Sequence, residues 1–206
     1  MHQQRKGGRG RFGPPGDAPL IRRAREGDPE AMDQLVHLHH RAVFNLAYRL
    51  AGNYDDAEDI VSEAFLRVFN ALPSFRGDAN FSTWLYRIVY NVFLDERKKQ
   101  RVRAHGSLEE IVELEDSTVT RQVEDPDPGP AERVAEQDRA ERIQRAVARL
   151  PERQRTLITL YHFQDCSYEE IAEILQMPIG TVKSGLNRAR HALRLLLAGE
   201  RELLEA

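Results

Sequence analysis

The sequence predicts an all-α chain: two small helical domains joined by a flexible acidic linker, the second containing a helix-turn-helix. Three observations predict it. Apolar residues recur at steps of three and four through most of the chain, and no segment shows the strict alternation of a half-buried strand. Capping residues, prolines and glycines stand where those periodic stretches begin and end. Between residues 104 and 131 the periodicity disappears, and "EDPDPGPAE" is both acidic and helix-breaking.

The elements follow in order. Residues 1–17, rich in Gly, Pro and Arg, read as a disordered basic tail. Pro19 opens a short helix that Gly27 ends, and Asp28-Pro29 caps and starts the next, which runs to about Ala51 and closes at Gly52. Asn53 or Asp55 caps a third helix, with Ile60, Val61, Ala64, Phe65, Val68, Phe69 and Leu72 on its apolar side, and Pro73 stops it. A loop, "FRGDAN", leads to a fourth helix from about Asn80 to Arg103. After the linker, periodicity resumes with Ile143, Val147 and Leu150, and Pro151 starts another helix. Ser167-Tyr168-Glu169-Glu170 has the form of a capping box; its helix ends near Leu175, Gln176-Met177-Pro178 turns, and a last helix runs to about Leu197.

Composition narrows the function. Of 206 residues, 41% are apolar and 31% charged, a balance that supports modest helical cores. The single Cys166 excludes an internal disulfide and fits a reducing cytoplasm. No apolar run approaches the roughly 18–20 residues of a membrane span, and the basic start has no apolar stretch behind it, so neither membrane insertion nor a signal peptide is expected. The net charge of −3 argues against a uniformly basic binder, but the charges are segregated. Arg76–Arg103 holds seven Lys/Arg against three Asp/Glu; Ala104–Glu141 holds three against twelve; Ile179–Arg194 has four bases and no acid.

The last of these islands has helix-turn-helix form. Ile171, Ala172 and Leu175 form the inner face of the first helix, and Val182, Leu186, Ala189 and Leu193 that of the second. Lys183, Ser184, Asn187, Arg188, His191 and Arg194 then point outward. That set suits a major groove: Arg pairs with guanine, Asn with adenine, Ser with either, and the other bases hold phosphates. In the first island, Phe75, Phe81, Trp84 and Tyr86 crowd around the loop, ahead of the basic run "DERKKQRVR". Rings beside a basic track hold single-stranded bases by stacking, at ~1–3 kcal/mol per base. Phe75 and Phe81 bracket the loop as expected walls of such a pocket, and Trp84, inside the helical apolar pattern, is expected to support them.

Asp55, Asp59 and Glu63 share a helix face, with Asp56 and Glu58 beside them. No Lys or His accompanies them at a useful spacing, and acids in a first turn complement the helix dipole, so metal catalysis is not expected. His37, His39 and His40 lack a third ligand at fitting spacing, which makes zinc equally unexpected. No phosphate loop or nucleophile–base pair appears, so neither a catalytic residue nor a cofactor is assigned.

"DDAEDIVSEAF", "FRGDANFSTWLYRIVYN" and "LPERQRTLITLYHFQDCSYEEIAEILQMPIGTVKSGLNRAR" together resemble the alternative sigma factors of bacterial RNA polymerase, in the small extracytoplasmic-function group. The resemblance covers about residues 18–103 and 132–198. It implies a region 2 domain over 18–103, a linker over 104–131, and a region 4 helix-turn-helix domain over 132–206. It implies a promoter-specificity subunit and not an enzyme, one that binds core polymerase, recognises the minus-thirty-five and minus-ten elements and helps open DNA. By resemblance, Phe75, Arg76, Gly77, Asp78, Ala79, Asn80 and Phe81 form the loop that captures a flipped minus-ten base, with Asn91 at the edge of the melted duplex. Thr181, Lys183, Ser184, Asn187, Arg188 and Arg190 meet the minus-thirty-five element. Asp55, Asp56, Glu58, Asp59, Ile60 and Glu63 dock on the polymerase clamp coiled coil, and the second domain meets the flap. An anti-sigma factor is the further partner implied, and the acidic linker is implied to run toward the polymerase active-site cleft. Gly185 departs from the family, where a base is frequent, and is expected to let the backbone approach DNA closely. A free-standing helix-turn-helix regulator fits "GTVKS" alone, but it has no need of residues 55–95. A metal-dependent nuclease would use the acidic helix and be stopped by EDTA.

Overall fold

The computed structural model describes residues 17–77, 79–106 and 140–204. Of the basic tail expected over 1–17, residues 1–16 lie outside the described residues, but Asp17 is buried and begins α1; of the linker expected over 104–131, residues 104–106 continue α4 and the rest, like Asp78, lie outside the described residues. Every regular element among the described residues is helical. They are α1 (Asp17–Arg25), α2 (Pro29–Ala51), α3 (Tyr54–Ala71), α4 (Phe81–Gly106), α5 (140–148), α6 (Glu152–Ile158), α7 (Tyr168–Ile174) and α8 (Ile179–Leu204).

Local chemistry sets the boundaries. Asp28 caps α2, accepting from Glu30 N (3.0 Å) and Ala31 N (3.2 Å), with Pro29 at the first position, where its missing N–H costs nothing. Gly52 ends α2 in the left-handed conformation (φ 89°) and donates to Tyr48 O. Asn53, not Asp55, caps α3 through Asp56 N at 2.8 Å. Pro73 stops α3 by way of a single 3-10 turn, Leu72–Ser74. Asn80 caps α4: its side-chain oxygen accepts from Ser82 N (3.2 Å) and its carbonyl from Trp84 N (3.0 Å). Pro151 stands one residue ahead of α6, with its carbonyl taking the first helical bonds from Gln154 N and Arg155 N. One π-helical turn, Thr159–Phe163, extends α6.

Helices α1–α4 enclose one core, in which Leu35, Leu46, Leu50, Ile60, Leu72, Phe81, Leu85 and Phe93 are fully buried. Helices α5–α8 enclose another around Leu157, Ile158, Leu160, Ile171, Val182 and Leu186. Periodicity alone reads these as separate bodies on a tether, but the second group packs directly on the first. Helix α7 lies along α4, and α6 with its π turn lies along α2. Gln164, itself buried, donates to Ala42 O at 3.3 Å, and the Arg49 guanidinium stacks 4.0 Å above the Phe163 ring.

Candidate nucleic-acid and polymerase interfaces

The helix-turn-helix forms as its caps require. Ser167 Oγ accepts from Glu170 N (3.1 Å), and Glu170 Oε2 accepts from Ser167 N (2.7 Å), so both groups of the capping box are satisfied. The turn passes through Gln176 at φ 51°, and Met177 N closes it on Ala172 O at 3.0 Å. Pro178 O then accepts from Thr181 N and Val182 N to start α8. Val182, Gly185, Leu186 and Ala189 face inward, while Lys183, Ser184, Asn187, Arg188, His191 and Arg194 are exposed. The outward set is the one expected from spacing.

Two residues of this helix differ from expectation. Gly185 is buried against α6, where a Cβ would meet Leu157 Cδ1 at 2.6 Å. Its missing side chain admits a neighbouring helix, not a DNA backbone. Arg190 is half-buried: its guanidinium lies 4.6 Å over Tyr161 and its Nε donates to His162 Nε2 at 3.4 Å. Burial first, and Arg190 second, lower the His162 pKa from its usual value, so the ring accepts as a neutral imidazole.

The aromatic loop also rearranges the expected roles. Phe81 is 1% exposed and Phe75 only 5%. The two rings meet edge-on at 5.7 Å, and Phe81 meets the buried His39 at 5.1 Å. They are core, not pocket walls. The half-exposed ring is Trp84, tilted against Phe75 at 4.8 Å and Phe81 at 5.6 Å. The signal was present in the sequence, since Phe81, Leu85, Ile88 and Val92 share one helical stripe and Trp84 lies at its edge. Gly77 has φ 74°, as its expected role in a close turn requires. Arg76 and Asn91 are exposed; Ala79 and Asn80 are half-buried.

On α3, Ile60 is 1% exposed and cannot meet a partner from within the core. Asp56 is held by Asn53 Nδ2 (2.9 Å) and Gln100 Nε2 (3.1 Å), and Tyr54 donates to Glu58 (2.8 Å). Glu63 pairs with Arg67 at 2.7 Å, and Arg67 reaches on to Asp95 at 2.8 Å. The outward seam is a different one. Asp55, Asp59, Ser62, Leu66 and Phe69 are exposed at alternating steps of four and three. Leu66 and Phe69, at 56% and 61% exposure, are the apolar members that sequence reasoning missed; Phe69 had been placed on the buried side. A 3.5-residue repeat of this kind lies flat against another helix.

The family model for Sigma-70 region 2 matches residues 35–103, and that for Sigma-70 region 4 matches residues 140–193. The chain is 35% identical to the ECF RNA polymerase sigma factor SigW of Bacillus subtilis, over 84% of this chain and 92% of that protein. The chain belongs to the ECF sigma factors. It is also 34% identical to the ECF RNA polymerase sigma-E factor of Escherichia coli K12, over 86% of this chain and 92% of that one. In structure it resembles the sigma factor RpoE of Bartonella quintana, solved in complex with the anti-sigma factor NepR: TM-score 0.66, 26% identity, 81% of this chain and 96% of that one. A sigma factor is the promoter-recognition subunit of RNA polymerase, a non-enzymatic initiation factor. The described residues contain no helix long and apolar enough to cross a membrane. This sigma factor uses one of its three clustered histidines structurally, since His39 Nε2 lies 3.2 Å from the buried Asp17.

Proposed function

We propose that this sigma factor reads its promoter with two surfaces and holds the polymerase with a third. Helix α8 enters the minus-thirty-five major groove, with Ser184, Asn187 and Arg188 at base edges and Thr181 and Lys183 at the backbone. Arg190, held on Tyr161, reaches phosphate from a fixed position. The observation that carries this reading is the exposed polar and basic face of a doubly capped helix-turn-helix, in a chain matched by both sigma regions.

The minus-ten base is met by Arg76, the backbone about Gly77 to Ala79, Asn80 and the open face of Trp84. Phe75 and Phe81 hold that ring in place from below, and Asn91 contacts the edge of the melted duplex. The Asp55–Phe69 seam docks on the helical clamp of core polymerase: its acids meet bases, and Leu66 and Phe69 bury apolar surface worth ~25 cal/mol per Å². The second domain contacts the flap. The protein catalyses no reaction, takes no cofactor, acts in the cytoplasm and is held by an anti-sigma factor, a partner class that the Bartonella quintana RpoE complex supports.

The test is in vitro transcription with core polymerase on a genomic library, with the starts sequenced. A shared pair of elements upstream of the new starts is expected. Tight sequence-specific binding of duplex without polymerase, and no new starts with it, would favour a free-standing regulator.

A further inference from the structure

A buried polar pair stands behind the aromatic cluster of the minus-ten loop. Asp17 opens α1 and is fully buried; His39, on the inner face of α2, is 4% exposed. His39 Nε2 donates to Asp17 Oδ2 at 3.2 Å, while Asp17 Oδ1 has no partner among the described residues. The His39 ring meets Phe81 at 5.1 Å and 61°, in an edge-to-face arrangement. Phe81 in turn meets Trp84 at 5.6 Å, and Phe75 closes the group at 4.8 Å from Trp84. Asp17, His39, Phe81 and Trp84 thus form one line of contacts, from the first residue of α1 to the half-exposed ring on α4. Helix α1 supports the other end of the loop as well. It packs against the Leu72–Ser74 turn, where Leu72 O accepts from Phe75 N at 3.0 Å.

Stability is a poor reason for this pair. A carboxylate taken out of water with one oxygen unpartnered carries a desolvation cost that a single hydrogen bond does not offset, and apolar side chains of similar size would fill the same space without it. What the pair supplies is direction. An apolar side chain against Phe81 has several staggered rotamers open to it. An imidazole whose Nε2–H is tied to a carboxylate has its tautomer and its ring angle fixed together. Phe81 carries no polar atom, so it takes its orientation from the rings it touches. Stacking depends on the angle and offset between faces, so a base that lands on Trp84 needs that ring held at one tilt.

We propose that Asp17 and His39 are positioning residues that set the tilt of Trp84, acting through Phe81. Neither touches DNA. The consequence for promoter opening rests on the reading above, in which Trp84 receives the minus-ten base. The tilt itself is measured on the free chain without DNA, so the two fail separately.

Trp84 is the only tryptophan in the chain, so its emission and its quenching by acrylamide report on this ring alone. Asp17→Leu in the full chain leaves the His39 Nε2–H without an acceptor. It should lower the melting temperature, change the Trp84 signal and reduce open-complex formation by the holoenzyme about three- to tenfold, the range of one lost hydrogen bond. Asp17→Asn keeps an acceptor at the same place and should restore both the signal and opening. Asp17→Leu combined with His39→Leu removes both polar partners, so the melting temperature should recover while the Trp84 signal and opening stay altered. A wild-type signal in Asp17→Leu, a signal equally changed in Asp17→Asn, or a signal that recovers with stability in the double variant would each overturn the proposal. A changed signal with normal opening in the stable double variant would uphold the positioning role and count against base capture by Trp84.

Discussion

Gly185→Ala offers a test in which two effects of similar size oppose each other. In an exposed helix interior the change gains ~1 kcal/mol. Here the new methyl would stand 2.6 Å from Leu157 Cδ1, roughly 1 Å inside the ~3.5–4.0 Å at which carbons attract. Leu157 is itself fully buried, so its methyl can retreat only into packed neighbours. Overpacking of this kind costs ~1–3 kcal/mol. The clash therefore wins, and the net effect is a loss of about 0–2 kcal/mol. Gly180 is the internal control: it lies in the same helix, and a Cβ there meets nothing within 4 Å, so Gly180→Ala should be neutral or stabilising. Leu157→Val, by making room, should reduce the cost of Gly185→Ala in a double-mutant cycle. Denaturant melts of the full chain measure all four. If Gly185→Ala proves as stable as Gly180→Ala, or keeps its stability while losing minus-thirty-five binding by the holoenzyme, then the glycine faces DNA and the inward assignment is wrong.

Arg188→Ala should cost the holoenzyme ~1–3 kcal/mol and relax preference at one or two minus-thirty-five positions, while Lys183→Ala weakens all sequences alike; competitive binding to a randomised element separates them. Asn80→Ala should lose a helix cap worth ~1 kcal/mol, whereas Asn80→Ser keeps the cap. A defect in permanganate-detected opening with Asn80→Ser at unchanged stability would assign the amide to the base, and normal opening would leave Asn80 as a cap alone. Phe69→Asp should weaken core polymerase binding at least tenfold without lowering the melting temperature, as titration against labelled core would show. The His162 pKa is depressed by burial and by Arg190, so the unfolded chain takes up a proton that the folded chain refuses. Stability from this group is thus present above about pH 6.5 and lost as pH falls through the folded value; melts across that range should show the loss in wild type and not in His162→Gln.

Signals confined to a few residues were legible in the sequence. Asp28-Pro29, Gly52 and the Ser167–Glu170 box each act through bonds spanning four residues or fewer, so reading them needs no tertiary knowledge. The outward face of α8 was legible because it has one packed side. Periodicity identifies the centre of an apolar face but not its width. Phe69 falls just outside the buried arc of α3 and Phe81 just inside that of α4, and each was assigned to the wrong side. One stripe of α4 was illegible for a different reason. Thr83, Arg87, Tyr90 and Arg97 look like an ordinary wet face, and only a partner more than fifty residues away gives them a role. Gly185 reads as a gap toward solvent until Leu157 is placed beside it.

The π turn at Thr159–Phe163 makes chain length itself a variable. Gln164 N reaches back five residues to Thr159 O at 3.1 Å, where an α-helix would reach four, so the turn holds one residue more than regular geometry requires. From it Phe163 and Gln164 leave the helix toward Arg49 and Ala42. Deleting one residue between 159 and 163 would turn that same bond into an ordinary α-helical one, so the shorter chain and the tighter winding would nearly offset each other. The recognition helix would keep every side chain it shows to DNA. A one-codon deletion is therefore absorbed within the turn, and the contacts of Phe163 with Arg49 and of Gln164 with Ala42 O survive it.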